Sequence, residues 1–203
     1  MSYAIPVITL AYLLGCFNTG YYLVRLRTGQ DIRTLVSGNT GSRNVGRLLG
    51  TAGFIITFIG DAGKGAATVW CVQHMGGDHL LASIALLAVA AGHIWPVQLG
   101  FRGGKGFATF AGGMIILEPV VLIAGLAVCA VGYSLMRGTT RAGLLALASS
   151  PVIMGIVRLR DGAPLVTPDF AVYCILAGMV LFAHRANIRT EFCKRGTGAA
   201  PGA

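Results

Sequence analysis

The amino-acid sequence predicts an all-α integral membrane protein, a bundle of seven transmembrane helices with its N-terminus outside and its C-terminus cytoplasmic. Three observations carry that prediction. Charged residues make up only 11% of the chain and hydrophobic ones 55%, whereas a soluble domain carries about 25% charge. Apolar runs recur along the 203 residues, several near the about 20 residues that a helix needs to cross the hydrocarbon, with Gly, Pro and charge between them. The basic residues fall almost entirely in alternate loops. The mean hydropathy of +0.73 leaves no stretch for a soluble partner, so residues 1–203 are read as a single membrane domain.

The first run, residues 5–26, lacks the basic start and small-residue cleavage site of a secretory leader and is read as a retained helix. The second, 53–75, carries Asp61 and Lys64 at i,i+3, on one helix face. Charge inside a bilayer is costly, so that face is expected to turn into the bundle, as a structural ion bridge or in a direct chemical role. The third, 79–99, ends in Gly92-His-Ile-Trp-Pro96, with His93 near the interface. The fourth and fifth, 107–117 and 119–136, are parted only by Glu118-Pro119. Proline disfavours helix at the residue before it and so predicts a turn, while one kinked helix would leave six crossings. The sixth and seventh cover 143–157 and 170–184.

With seven crossings, every Lys and Arg except Lys64, Arg158 and Arg160 lies on one side, together with the C-terminus. The positive-inside rule makes that side cytoplasmic and favours seven crossings over six. The formal net charge of +9 is not gathered on a basic helix or an aromatic-interleaved strip, so nucleic acid is not an expected partner. Cys16, Cys71, Cys129, Cys174 and Cys193 stand singly without metal spacing and are read as structural. No metal and no cofactor is expected.

Three glycine-rich polar stretches interrupt the apolar chain: Ser37-Gly-Asn-Thr-Gly-Ser-Arg-Asn44, Gly60-Asp-Ala-Gly-Lys-Gly65 and Arg102-Gly-Gly-Lys-Gly106. Glycine frees backbone amides, and amides beside Lys and Arg are how proteins hold phosphate. The first and third stretches fall on the cytoplasmic face. Ser37, Gly38, Asn39, Thr40, Gly41, Arg43, Asn44 and Arg47 could form an anion cradle, or a glycine turn whose arginines meet lipid headgroups. Gly103, Gly104, Lys105 and Gly106 lack the spacing and preceding strand of a Walker A loop, yet a simple anchoring loop needs no glycines. His184 closes the last run with Asn187 one turn later on the same face. No His is followed by Asp five residues on.

Taken together these residues resemble the bacterial acyl-phosphate:glycerol-3-phosphate acyltransferase family, PlsY, over nearly the whole chain. The resemblance is carried by Thr19-Gly-Tyr21, Ser37-Gly-Asn-x-Gly-x-x-Asn44-Val with Arg47, Asp61-x-x-Lys-Gly65, Gly92-His-Ile-x-Pro-Val97, Gly103-Gly-Lys-Gly-x-Ala-Thr109 and His184-Arg-x-Asn-Ile188. It implies a seven-helix enzyme of the bacterial plasma membrane that moves a fatty acyl group from acyl phosphate to the sn-1 hydroxyl of glycerol 3-phosphate, at a cytoplasmic site. Ser37, Gly38, Asn39 and Gly41 would then cradle phosphate, with Thr40, Arg43, Asn44, Gly103, Gly104 and Gly106 around it. Arg47 and Lys105 would neutralise phosphate and polarise the acyl carbonyl. His184 and Asn187 would seat the acceptor, Asp61, Lys64 and His93 would support the site, and other lipid-synthesis enzymes are conceivable partners. Acyl phosphate is already activated, so its own phosphate can take the hydroxyl proton.

The chain departs from the family pattern at Cys16 and Asn18 (Ser and Pro), Ser42-Arg43 (Ala-Thr), Ala142-Gly143-Leu144 (Tyr-Val-Ser) and the tail at Gly196-Thr-Gly198. These changes leave open an altered substrate, Arg43 as a substitute phosphate ligand, or lost activity; the survival of Arg47, Lys105, His184 and Asn187 favours retained acyl transfer. The other class that fits is a non-catalytic membrane protein that binds anionic lipid or carries a phosphorylated solute along Asp61 and Lys64.

Overall fold

A computed structural model describes residues 3–193, and every regular element among them is helical. Lys194, Arg195 and the altered tail lie outside the described residues.

The first apolar run is two helices, not one. Helix α1 (Ala4–Cys16) stops where Phe17 turns extended (φ −70, ψ 98), and α2 (Thr19–Thr28) starts after Asn18. Carbonyls freed at such a break need partners inside a membrane. Lys64 supplies them: its Nζ donates to Gly15 O at 3.1 Å and Phe17 O at 2.8 Å. The break is stabilised from 47 residues away, which no local pattern reveals.

Helix α3 (Ser42–His74) begins well before the expected residue 53. Gly50 interrupts it at φ 70, ψ −167, a region glycine enters without a Cβ penalty, and so parts a short segment, 42–49, from the long one. Helix α4 (His79–Ile94) is capped by Asp78, whose side chain accepts the Leu81 amide at 2.8 Å. A tight turn at Val97–Leu99 follows. Helices α5 (Phe107–Leu117) and α6 (Pro119–Met136) are separate, because Glu118 sits at φ −146, ψ 66, and Pro119 opens α6 where a missing amide costs nothing. Then come α7 (Thr139–Arg160), α8 (Pro168–Ala183) and α9 (Arg185–Ile188), which runs into a wider turn at Arg189–Cys193 and is bent by 60° from α8.

Among the described residues, five helical stretches have the length and hydropathy to cross a bilayer, six if the bent pair counts as one. Helix α5, with 11 residues, is not among them; at 1.5 Å per residue it covers about 17 Å of a roughly 30 Å core. It nonetheless runs antiparallel to α4. It begins just after the loop that pairs with the end of α4, where Gly104 N donates to His93 O at 3.0 Å, and leads to Glu118, whose carboxylate lies 3.1 Å from His79 Nε2 at the start of α4. His79 Nδ1 also lies 3.3 Å from Asp169 of α8, which Arg158 of α7 holds at 2.8 Å. Charged pairs thus fasten four helix ends together at the face opposite the glycine-rich loops.

Helix α4 occupies the centre, and its Leu86 and Val89 join Val69, Met114, Leu147 and Leu176 in one core. Glycines set the spacing: a Cβ on Gly15 or Gly92 would strike the partner backbone between α1 and α4, as would one on Gly65 or Gly112 between α3 and α5. Such close approach is how helices associate where lipid removes the hydrophobic drive. Leu10, Ile59, Leu126, Leu135, Val152 and Ile175 stay exposed on the outside, as a hydrocarbon-facing surface requires.

Candidate active site

The loop between α2 and α3 is built around Asn44. Its Oδ1 accepts the Ser37 amide at 3.3 Å, and its Nδ2 donates to Asn39 O at 2.9 Å and Leu35 O at 3.3 Å. Asn44 therefore shapes the loop with its whole amide. Asn39 closes a tight turn by accepting the Gly41 amide at 2.7 Å, and Gly38 takes the left-handed conformation (φ 67). Thr40 is fully buried and donates to Asn18 Oδ1 at 2.7 Å. Ser37 and Gly38 remain exposed. Arg33 ties the loop down: it pairs with Asp31 at 2.6 Å, donates to Leu99 O and lies over the Tyr21 ring. The Arg33 guanidinium holds the Asp31 carboxyl below the usual carboxylate range.

The second loop corrects an expectation. Gly103 and Gly104 were placed in the phosphate cradle, but their amides already donate to Ile94 O (3.1 Å) and His93 O (3.0 Å). A Cβ on Gly103 would strike the end of α4, and one on Gly104 would strike the His93 ring. These glycines serve close packing. Gly106 caps the start of α5 with φ 80. What the loop presents is Lys105, whose Nζ donates to Asn187 Oδ1 of α9 at 2.6 Å. Burial first, and then the charges of Arg43 and Arg47, hold the Lys105 ammonium below the ordinary lysine range. Lys105 thus contacts Asn187 and lies within electrostatic reach of Arg43 and Arg47.

Arg43 and Arg47 stand exposed on segment 42–49 and line an open cleft of about 350 Å³ with Gly46, Gly50, Thr51 and Phe54. Arg43 also reaches α7, donating to Thr140 Oγ1 at 2.6 Å. His184, at the bend after α8, places Nδ1 2.8 Å from Val180 O. A carbonyl only accepts, so Nδ1 carries the proton and Nε2 is left as an acceptor. The ring meets Phe107 edge-on. Another recess, about 440 Å³, lies at the opposite end among Asp78, His79, Glu118, Arg158, Asp161 and Asp169; its carboxylates suit no phosphate.

Asp61, Lys64 and His93 lie apart from this rim, buried in the bundle. Lys64 Nζ is 3.1 Å from Asp61 Oδ1 and 2.7 Å from His93 Nδ1, and Asp61 accepts the Thr19 amide at 3.4 Å. Their face points inward, and their partners are the α1–α2 break and the end of α4. Two residues at the site were not singled out from sequence. Thr140 lies in the first turn of α7, which starts at Thr139 rather than at the expected 143, and no local pattern ties it to Arg43. Glu191, in the turn that follows α9, pairs with Arg141 of α7 at 2.8 Å and ties that turn to α7.

Comparison with known proteins adds the chemistry. The glycerol-3-phosphate acyltransferase family profile matches residues 5–194. Glycerol-3-phosphate acyltransferase 1 of Desulfitobacterium hafniense (strain Y51) is 41% identical over 179 residues, covering 88% of this chain and 86% of its own length. The glycerol-3-phosphate acyltransferase of Clostridioides difficile (strain 630) is 38% identical over 193 residues, 93% of this chain and 91% of its own. Among solved structures, PlsY (YgiH), an integral membrane glycerol 3-phosphate acyltransferase in its glycerol 3-phosphate form, superposes with a TM-score of 0.82 at 28% identity, covering 97% of this chain and 96% of that one. Its lysophosphatidic acid form gives a TM-score of 0.78 at 27% identity over 97% and 95%.

Proposed function

The chain belongs to the glycerol-3-phosphate acyltransferase family and is a multi-pass membrane acyltransferase of phospholipid biosynthesis, and from that premise we propose that it acylates the sn-1 hydroxyl of glycerol 3-phosphate using acyl phosphate as donor. The products are lysophosphatidic acid and phosphate. The observation that carries this reading is the contact of Lys105 with Asn187 of α9 at 2.6 Å, within electrostatic reach of Arg43 and Arg47 beside their cleft. Two phosphorylated reactants repel each other, and fixed cations remove that repulsion while orienting the pair.

In this scheme the acceptor oxygen attacks the acyl carbonyl carbon, the bond from that carbon to the phosphate oxygen breaks, and the departing phosphate takes the hydroxyl proton. Lys105 and Arg47 balance the charge that develops on the carbonyl oxygen and the leaving phosphate. Arg43, beside the cleft, serves as a phosphate ligand, and the exposed Ser37 and Gly38 border the same site. Asn187 orients Lys105, and the free Nε2 of His184 accepts from the acceptor's hydroxyl. Asn44, Asn39, Thr40 and Gly41 hold the loop, and Asp61, Lys64 and His93 support it from below. The chain crosses the bacterial plasma membrane seven times, α5 included, with this site on the cytoplasmic side.

The test is to incubate the purified protein with acyl phosphate and glycerol 3-phosphate and to follow lysophosphatidic acid and phosphate. Lys105→Ala and Arg47→Ala are each expected to lower turnover by about 10²-fold or more, the scale of losing one preorganised charge-stabilising donor, with the helical circular dichroism unchanged. Turnover with an acyl thioester and none with acyl phosphate would overturn the donor assignment. Wild-type rates in both variants would remove Lys105 and Arg47 from the chemistry.

A further inference from the structure

One buried side chain links both loops of the site, the first directly and the second through a shared carbonyl. Asn18, in the break between α1 and α2, has no exposed surface. Its Oδ1 accepts from Thr40 Oγ1 at 2.7 Å, and its Nδ2 donates to Cys16 O and His93 O, each at 3.3 Å. The same His93 carbonyl accepts the Gly104 amide at 3.0 Å, one residue before Lys105. Thr40 lies between Asn39 and Gly41, the residues that close the tight turn of the other loop. A single side chain and one carbonyl therefore join the loop at 37–41 to the loop at 103–106.

The chemistry of the amide suits this place. Two carbonyls can only accept, so the NH₂ group must face them and the oxygen must face Thr40. Asp at this position would set a carboxylate against two carbonyls. Leu would leave the buried Thr40 hydroxyl without its acceptor, and an unsatisfied buried polar group is costly.

We infer that Asn18 is a positioning residue that fixes the spacing between the loop at 37–41 and Lys105, and with it the separation of the groups that hold the two phosphorylated reactants. The kinetic consequence rests on the acyl-transfer reading; the mechanical coupling does not. Asn18 touches no reactant and acts through Thr40 and His93.

The test compares Asn18→Pro, Asn18→Leu and Thr40→Val in purified full-length protein. Proline fits the backbone, since residue 18 has φ −88 and Phe17 before it is extended, so the turn is kept while the side-chain links are cut. In Asn18→Pro and Asn18→Leu, hydrogen exchange is expected to rise on the order of tenfold in both loops, 37–41 and 101–106, with the α6–α7 hairpin unchanged, a size typical of coupled neighbours. Thr40→Val is expected to loosen 37–41 alone. In turnover with acyl phosphate and glycerol 3-phosphate, kcat is expected to fall on the order of tenfold with KM changed far less, and Thr40→Val added to Asn18→Leu to cost little more. Unchanged exchange in both loops of Asn18→Pro overturns the inference, as does loosening spread evenly through the bundle. Should Asn18→Pro and Asn18→Leu fail to fold, wild-type exchange at 37–41 in Thr40→Val overturns it. If the wild-type protein makes no lysophosphatidic acid, the acyl-transfer reading fails while the exchange data still decide the coupling.

Discussion

Lys105 is short of water and faces two guanidinium groups, so its ammonium gives up its proton at a lower pH than an ordinary lysine. The protonated form is the one that balances phosphate. Turnover is therefore expected to fall as pH rises through the lowered Lys105 value, producing an alkaline limb. Removing one repelling charge with Arg43→Gln favours the charged amine, so the limb is expected to move to higher pH, whatever happens to the maximum rate. Lys105→Arg is expected to erase the limb, because guanidinium does not titrate in that range. A pH–rate profile with an unmoved limb in Arg43→Gln would contradict the electrostatic account. At this scale the sequence offered the cations but not the packing beside them: the glycines next to Lys105 pack against His93 and the end of α4. Glycine that clears room for a neighbouring helix looks the same in a sequence as glycine that clears room for a ligand.

Among the elements, the α1–α2 break shows where prediction from pattern stops. Nothing in residues 5–26 demands an interruption; the interruption is held by Lys64 of α3, with Asp61 and His93 completing its surroundings. By contrast, the turn at Glu118-Pro119 and the whole of α6 were legible, because Pro acts on its immediate neighbour. The ion cluster makes an asymmetric prediction. Lys64→Met strands the Asp61 carboxylate and two backbone carbonyls in the bundle, and is expected to cost about 3–5 kcal/mol, the scale of breaking a buried pair. The double variant Asp61→Leu with Lys64→Met removes both charges and is expected to recover part of that loss. Thermal unfolding in detergent checks the order. If the double variant is less stable than Lys64→Met, the stranded carboxylate is not what destabilises the bundle.

For the whole molecule, the charge pattern along the sequence and the packing of the helices agree on two unlike ends. One end carries Arg43, Arg47, Lys105 and Arg141; the other carries Asp78, Glu118, Asp161 and Asp169 with His79 and Arg158. The proposed orientation, by the positive-inside rule, puts the basic end at the cytoplasm. A cysteine placed at Arg102 in a background without the native cysteines is expected to resist an impermeant thiol reagent in intact cells, and one placed at Ala163 to react. The reverse labelling pattern would invert the proposed topology. The helical class and the location of most apolar segments were readable because both depend on composition and short-range periodicity. That the loops holding 42–49 and 105 share one end was likewise expected from the charge pattern; the contact of Lys105 with Asn187 was not, because it depends on how the helices cross.

The ammonium of Lys64 lodged against Gly15 and Phe17 also bears on how the protein is made. Until α3 packs against the first segment, its interrupted shape would leave the Gly15 and Phe17 oxygens without this partner in oil. The contact favours an order in which this segment begins as an unbroken rod and takes its final form once α3 docks. In that order the oldest part of the chain is among the last to mature.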